Sequence, residues 1–211
     1  DAGIMITASH NPSSDNGYKV YLGGEDQGSQ IVPPADGQIE RHIRAVVEDS
    51  SWAQARRSSE LIELLNDDIV SSYITKSCEE LRLKPPSGRE ITVVYSAMHG
   101  VGGKTFLAAL EHAGFQKPLT VEEQFNPDPN FSTVSFPNPE EKGALDLSIE
   151  LAREKSADLI VAHDPDADRL AVGVMSPADP GGYRILSGNE TGAILGWHSA
   201  ESLTMEKASG S

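Results

Sequence analysis

The chain has 211 residues, enough for one or two domains with their own cores. Its 32 Asp and Glu against 17 Lys and Arg give a net charge of −15, which makes nucleic acid and anionic membranes poor partners. A single cysteine excludes an intrachain disulfide, and no apolar run reaches the ~18 residues of a membrane helix or has the pattern of a signal peptide. We therefore expect a cytoplasmic protein, and the composition leaves its oligomeric state open.

An apolar run at residues 3–7 predicts a buried strand that ends at the polar segment Ser9-His10-Asn11-Pro12. Ser9 then lies at the end of a rigid element with its hydroxyl available, which suits a nucleophile. The alternative is an ordinary turn in which Ser9 and Asn11 bond to nearby backbone groups. The segment Tyr18–Leu22 predicts a second strand, paired with the first across this loop.

Two helices are predicted next, at about 35–47 after a Pro-Pro pair and at about 66–81. The Pro-Pro-Ser-Gly segment at 85–88 breaks both helices and strands, so it is the best domain boundary in the sequence. We expect a first domain at 1–84, a second at 85–187 and the start of a third at 188–211.

A strand at 91–95 opens the second domain, and a Gly-rich turn at 98–105 follows it into a helix. The turn is not a P-loop, because Met98 replaces the first glycine, and Thr105 stands where a dinucleotide-binding motif needs its third glycine. We expect a tight packing turn, with anion binding through backbone N–H groups as the alternative. His99, within this turn, is a candidate for facing a cleft.

The rest of the chain alternates strands and helices. The predicted elements are a strand at 119–121, a proline-rich irregular connection at 125–139, a helix at 144–155, strands at 158–162, 170–174 and 183–186, and a helix at 190–203. This alternation predicts an α/β protein with parallel layers.

Three carboxylates at alternate positions, Asp164, Asp166 and Asp168, lie between two of these strands. They repel one another unless a cation sits among them, and oxygen ligands at this density suit Mg²⁺. A solvated acidic turn is the alternative. An EF-hand does not fit, because Arg169 replaces the required glycine and Met175 stands where the bidentate Glu belongs.

Two motifs resemble those of one known family. The serine loop, Thr7 to Pro12, reads TASHNP, and the Asp loop, Asp164 to Arg169, reads DPDADR; in this order they resemble the α-D-phosphohexomutases, the phosphoglucomutases and phosphomannomutases. The resemblance extends over nearly the whole chain, through 16–19, 131–134 and 137–141. Those later segments are most similar to the branch that holds phosphopentomutases and glucose-1,6-bisphosphate synthases.

The resemblance implies two mixed or parallel α/β/α domains, an incomplete domain I and a domain II, plus the start of a third. It also implies that Ser9 carries a phosphoryl group and that its phosphate shares a Mg²⁺ ion with the three carboxylates of the Asp loop. The implied reaction moves a phosphoryl group between the C1 and C6 (or C5) hydroxyls of a sugar phosphate, with a glucose 1,6-bisphosphate-type activator.

Other roles follow from the same resemblance. Lys19 is the first candidate for proton transfer or phosphate stabilisation, and His10 is the second. Arg169 and Asn11 would bind phosphate. His163, beside the Asp loop, is either a packing residue or a support for the metal ligands.

Some parts of the family pattern are not found in the sequence, namely a GExSGH-type sugar-selecting loop and an RxSxTEP-like phosphate-binding loop. We therefore expect the chain alone to be inactive, or nearly so, as a mutase. Two alternatives remain open. One is a phosphatase with Asp164 as nucleophile, although Asp168 replaces the Thr or Val of that pattern, and the other is a non-catalytic module in which the Asp loop only binds a metal.

Overall fold

The computed structural model describes residues 2–54, 58–81 and 90–209. The predicted boundary at 85–88 lies outside the described residues. Contacts divide the chain into two compact units, the first comprising Asp1–Ala8 and Asn16–Asn66 and the second Ser9–Asp15 and Asp67–Ser211. The tip of the serine loop therefore belongs to the second unit, together with the Asp loop.

The first unit contains a small antiparallel sheet and one long helix. Its elements are β1 (Ala2–Ile6), β2 (Tyr18–Leu22), β3 (Ser29–Gln30) and α1 (Ala35–Asp49). The strand order is β1-β2-β3, and Ile4 lies opposite Val20. The predicted pairing of the first two strands across the serine loop is confirmed.

The expectation of a buried first strand was wrong. Ile4 is 65% exposed and Ile6 is 82% exposed. An apolar sequence favours burial, but burial needs a covering element, and α1 keeps apolar side chains such as Val47 exposed as well.

The second unit contains a five-stranded mixed sheet with helices. Its elements are α2 (Asp68–Glu80), β4 (Val93–Ser96), α3 (Gly103–His112), β5 (Leu119–Thr120), α4 (Glu122–Phe125), α5 (Asp146–Lys155), β6 (Leu159–His163), β7 (Leu170–Met175), β8 (Tyr183–Ile185) and α6 (Gly188–Ser209). The strand order is β5-β4-β6-β7-β8. Most of these elements lie where the sequence predicts them; α4, with only four residues, is too short to show a helical pattern.

The parallel arrangement is confirmed for β4, β5 and β6, whereas β7 and β8 run antiparallel. The reason is the length of the connection. Only residues 164–169 join β6 to β7, and a parallel pair would need a crossover of a dozen or more residues.

Helix α2 packs in the second unit, although the sequence boundary assigned it to the first domain. Its Ile74 is buried, and the Cys78 thiol lies 4.0 Å from the carbonyl oxygen of Ala109 in α3. Among the described residues, no helix combines the length and apolar character needed to cross a membrane.

One part of the core of the second unit lies between the sheet and α5. Val94 of β4 and Ile160 of β6 are completely buried and pack with Ala152. The buried Tyr183 hydroxyl bonds to the carbonyl oxygens of Ala152 and Ala157, at 3.0 and 2.6 Å, so its polar atom is satisfied inside the core. Strands β4 and β6 are parallel neighbours, and their packing in this core fixes the position at which each strand ends.

These ends define one edge of the sheet. Ser96, the last residue of β4, lies opposite Ala162 near the end of β6. Because the two strands are parallel, the Gly-rich turn after β4 and the Asp loop after β6 emerge at the same edge.

Helix α6 begins two residues before the predicted start because of a capping arrangement. The Ser187 hydroxyl accepts from the Glu190 N–H at 3.3 Å, and the Ser187 N–H donates to the Glu190 carboxylate at 2.8 Å. Arg184 adds an ion pair of 2.7 Å. Hydrogen bonds from Arg184 and then Ser187 lower the pKa of Glu190 to about 2.

We predict that Glu190→Gln lowers the melting temperature at pH 7, and that the difference from the wild type shrinks as the pH falls below 4.5. The folded-state pKa lies below the ordinary value of 4.5, so the ionised carboxylate stabilises the fold above that pH and loses this effect as the pH falls toward 2. Melting curves followed by circular dichroism from pH 7 to pH 3 test this, with Glu150→Gln on α5 as control. A difference that stays constant with pH would contradict it.

Candidate functional site

The Asp loop holds three carboxylates close together at the edge of the sheet. Asp164, Asp166 and Asp168 each offer one oxygen, and these oxygens all lie within 4.8 Å of one another. Asp164 is fully buried, Asp166 is 9% exposed and Asp168 is exposed. The Arg169 N–H donates to Asp164 Oδ1 at 2.9 Å, which fixes the buried carboxylate within the turn.

The electrostatics of this cluster favour a cation. Burial is the largest effect that raises the pKa of Asp164, and the negative charges of Asp166 and Asp168 raise it further, against the hydrogen bond from Arg169. Acidic oxygen donors in this number and spacing fit Mg²⁺. The three carboxylates therefore fit the ligand preference of Mg²⁺, the metal that the sequence predicts.

Ser9 lies directly against two of these carboxylates. Its Oγ is 3.3 Å from Asp164 Oδ2 and 3.4 Å from Asp166 Oδ1. Its φ is 56°, in the left-handed region, which costs a non-glycine residue about 1–2 kcal/mol. Such strain is characteristic of functional sites, and here it accompanies a hydroxyl that reaches the acidic cluster.

His10 completes the polar surroundings of the serine. Its Nδ1 is 3.1 Å from Ser9 Oγ, so the ring is within reach of the serine proton. The ring also meets Phe136 edge-on, with centroids 5.8 Å apart. The structure thus brings together Ser9, His10 and the Asp loop, as the sequence motifs predict.

The other predicted site residues are Arg169, Asn11 and Lys19. Arg169 Nη1 is 3.5 Å from Asn138 Oδ1, at the limit of a hydrogen bond. Asn11 is exposed and donates to Asp15 at 3.2 Å. Lys19 is half-buried on β2 of the first unit, opposite Met5. Their parts in proton transfer or phosphate binding remain predictions.

The Gly-rich turn is packed against the back of the Asp loop. The Val101 N–H donates to the Pro165 carbonyl oxygen at 2.9 Å. A Cβ built on Gly100 would overlap that same oxygen, and one on Gly102 would lie 2.7 Å from Ala167 Cβ. The expectation of a tight packing turn is confirmed, and the glycines serve close approach to the Asp loop.

His163 lies behind the same loop in an aromatic cluster. Its Nδ1 is 3.2 Å from the Tyr95 hydroxyl, and its ring meets Phe106 edge-on at 4.9 Å. Burial lowers the pKa of His163, which favours the neutral ring. This environment is that of a packing residue that supports the strand leading into the Asp loop.

Sequence reasoning did not find the contacts of Gly100, Gly102 and Tyr95 with the Asp loop region. The Gly-rich turn was visible as a pattern, but its partner lies more than sixty residues away in the sequence. Only the register of β4 against β6 brings the two loops together.

Comparison with known families agrees with this architecture. The profile described as "Phosphoglucomutase/phosphomannomutase, alpha/beta/alpha domain II" matches residues 71–176, and that of domain I matches residues 1–49. The fold and the acidic site define the α/β/α class of phosphosugar mutase domains. The chain belongs to the phosphoglucomutase/phosphomannomutase family.

Individual relatives carry more specific names. The chain is 48% identical, over 95% of its length, to a probable phosphomannomutase of Haemophilus influenzae, of which it spans 40%. It is 43% identical to the phosphopentomutase of Mus musculus and 38% identical to the glucose 1,6-bisphosphate synthase of Homo sapiens, in each case over 93% of its own length and 32% of theirs. The chain thus spans about a third to two fifths of these curated relatives.

Solved structures show the same fold. A phosphoglucomutase/phosphomannomutase family protein from Burkholderia thailandensis aligns with a TM-score of 0.62 and 23% identity, over 88% of this chain and 34% of that protein. A putative phosphomannomutase from Thermus thermophilus aligns with a TM-score of 0.59 and 23% identity, over 86% and 37%.

We predict that Gly100→Ala destabilises the chain by about 1–3 kcal/mol or more, because the added methyl group meets backbone atoms of Pro165 that cannot rotate away. Urea unfolding measures the change. The matched control is Gly192→Ala on α6, where a Cβ meets nothing within 4 Å, and where alanine should stabilise the helix by about 0.5–1 kcal/mol. Equal stability of the two variants would show that the turn does not press on the Asp loop.

Proposed function

We propose that this chain is the phosphoryl-transfer part of a Mg²⁺-dependent phosphosugar mutase, with Ser9 as the phosphoryl carrier. The observation that carries the proposal is the position of Ser9 Oγ, 3.3 Å from Asp164 and 3.4 Å from Asp166. A hydroxyl beside a dense set of carboxylates gains nothing by ionising there unless a cation is present. The three carboxylates become a favourable environment when they hold a divalent metal together with a phosphate on Ser9.

The carboxylates of Asp164, Asp166 and Asp168 would hold the metal with one oxygen of the serine phosphate. When bound, Mg²⁺ supplies neutralisation of the charge that develops on the transferred phosphoryl group. The turn geometry keeps the carboxylates of Asp164 and Asp166 beside Ser9, because the Arg169 N–H and the Gly-rich turn fix the loop from two sides.

The transfer exchanges one ester bond for another. The bond between phosphorus and Ser9 Oγ breaks as a bond forms between phosphorus and a hydroxyl oxygen of a sugar monophosphate. The proton of that hydroxyl passes to a base, and a proton returns to Ser9 Oγ. The resulting bisphosphate then gives its other phosphoryl group back to Ser9, which leaves the isomeric monophosphate.

His10 is the candidate base that the contacts of the second unit support, since its Nδ1 lies 3.1 Å from Ser9 Oγ. Lys19, from the first unit, remains a proposal from resemblance for the same step. Arg169 and Asn11 are proposed to bind phosphate, and Arg169 is already anchored near the Asp loop by its own N–H.

The substrate of the whole protein is proposed to be a sugar phosphate. The relatives named above are a probable phosphomannomutase, a phosphopentomutase and a glucose 1,6-bisphosphate synthase, all of which act on phosphorylated sugars by name. A bisphosphate of the glucose 1,6-bisphosphate type is the proposed activator, since it would load Ser9. These names leave the choice among glucose, mannose and pentose phosphates to experiment.

We predict that Mg²⁺ raises the melting temperature of the wild-type chain and that Asp164→Asn abolishes this effect. Ligand at 100 times its dissociation constant stabilises a fold by about 2.7 kcal/mol. Without metal, the variant should be at least as stable as the wild type, because it removes a buried negative charge from among like charges.

Thermal melting with Mg²⁺ and with EDTA measures both effects, with Glu150→Gln as the control acid. If Asp164→Asn still responded to Mg²⁺ like the wild type, the ion would be held elsewhere.

We predict that incubation with glucose 1,6-bisphosphate and Mg²⁺ adds one phosphate to Ser9. Intact mass and peptide mapping should locate it, and it should be absent from Ser9→Ala but kept in Ser14→Ala, a control in the same loop. EDTA should prevent the uptake, because the acidic cluster then repels the incoming phosphate.

Two other outcomes of this experiment would favour the alternative functions. Phosphate on Asp164 would favour the aspartyl-phosphate phosphatase. A folded wild-type chain that responds to Mg²⁺ but takes up no phosphate would favour the non-catalytic metal-binding module.

A further inference from the structure

His99 occupies a constrained place in the Gly-rich turn. It follows β4 with φ of 60°, after Met98 with φ of 47°, and its side chain is only 3% exposed. Its N–H donates to the Gln124 carbonyl oxygen at 2.8 Å, and its own carbonyl oxygen accepts from the Asp128 N–H at 3.1 Å. The turn is therefore tied through His99 to the segment that runs from α4 toward residue 138.

The side chain of His99 is tied to the same segment by its Nε2 atom. This atom is 2.8 Å from Thr133 Oγ1 and 3.4 Å from the Thr133 backbone nitrogen, whose N–H points to it. Gln124 Nε2 donates to Thr133 Oγ1 at 2.9 Å, while Gln124 Oε1 accepts from the Ser96 hydroxyl at 2.7 Å. A buried network thus joins the end of β4, α4 and the proline-rich connection.

The protons of this network can be assigned from its donors. A backbone N–H can only donate, so the 3.4 Å contact from Thr133 favours an unprotonated Nε2 on His99. The Thr133 hydroxyl then donates to Nε2 across the 2.8 Å contact, whose direction depends on the tautomer. The imidazole proton then lies on Nδ1. This atom is buried and has no acceptor among the residues that the structure describes. Burial lowers the pKa of His99, against the charge of Asp128, which agrees with a neutral ring.

The segment that this network holds reaches the serine site. Three residues after Thr133, Phe136 packs edge-on against the ring of His10. Two residues further, the side-chain oxygen of Asn138 approaches Arg169. On its other side, the turn is fixed to the Asp loop by the hydrogen bond from Val101 to Pro165.

We propose that His99 is a positioning residue for Ser9. As a neutral imidazole protonated on Nδ1, it accepts at Nε2 from Thr133 and so holds residues 126–138 where Phe136 confines His10 and Asn138 meets Arg169. The effect on phosphoryl transfer rests on the proposed function, but the tautomer and the placement of His10 do not.

Two substitutions at His99 separate this role from a purely structural one. Glutamine can place an acceptor near the position of Nε2, whereas asparagine reaches only the position of Nδ1. Asparagine, however, tolerates the left-handed backbone better than glutamine. A role in shaping the turn alone predicts that His99→Asn behaves best, and the proposed role predicts that His99→Gln does.

The experiment combines NMR of the histidine rings with the rate of Ser9 phosphorylation by glucose 1,6-bisphosphate. In the wild-type chain, we expect His99 to show a protonated Nδ1 and an unprotonated Nε2 at neutral pH. We expect His99→Asn to shift the His10 ring signals and to slow phosphorylation by about 10- to 100-fold, since small misplacements have such effects. We expect His99→Gln to stay close to the wild type in both.

A second pair of variants covers the case in which a His99 variant does not fold. Thr133 is exposed apart from its hydroxyl contacts, so Thr133→Val should fold while removing the hydroxyl bond to Nε2 and leaving only the longer backbone contact, and Thr133→Ser should keep both. Valine should reproduce the shift of the His10 signals, and serine should not.

The outcomes are distinct. A proton on Nε2, His99→Asn equal to or better than His99→Gln, or unchanged His10 signals in Thr133→Val would each overturn the proposal. If the wild-type chain took up no phosphate, the proposed function would fail, and the NMR measurements alone would decide the role of His99.

Discussion

Mutual repulsion among the three carboxylates of the Asp loop is the constraint on which this end of the second unit depends. Their oxygens lie within 4.8 Å of one another, and Asp164 is completely buried. The loop cannot relax outward by itself, because the Arg169 N–H holds Asp164 from one side and the backbone of Gly100 lies directly against Pro165 on the other. The scaffold thus maintains a cluster of like charges that a bound cation would stabilise.

Among the described residues, five of the eight non-glycine positions with positive φ belong to the loops around this site; the other three are Gln27, Ser50 and Ser156. Ser9, Met98, His99, Phe131 and Ala167 all have φ between 47° and 61° without being glycine. These positions follow β1, β4 and β6 or lie in the connection that contacts His10. Local preference would not select this conformation, so tertiary contacts must impose it, and the strain marks where the chain is shaped for contact with the site.

Much of this could be predicted from the sequence, because the relevant patterns are local. Apolar runs that stop at Ser9 and at Asp164 predicted the strand ends, and the alternating carboxylates predicted a metal site. The prediction that β1 is buried was wrong, since an apolar run does not say which element covers it. The antiparallel β7 follows from a loop too short for a crossover, which is a matter of connection length rather than of strand composition.

The sequence by itself determined the chemistry of this protein: a serine at a strand end, three carboxylates in one turn, and the family to which those motifs belong. The tertiary structure alone decided that Ser9 reaches Asp164 and Asp166, that Gly100 supports the Asp loop, and that His99 connects the loop to the residues around His10. The physical reason is that the sequence specifies the chemical type of each side chain directly. Distances between segments far apart in the chain depend on strand register and close packing, which no local pattern contains.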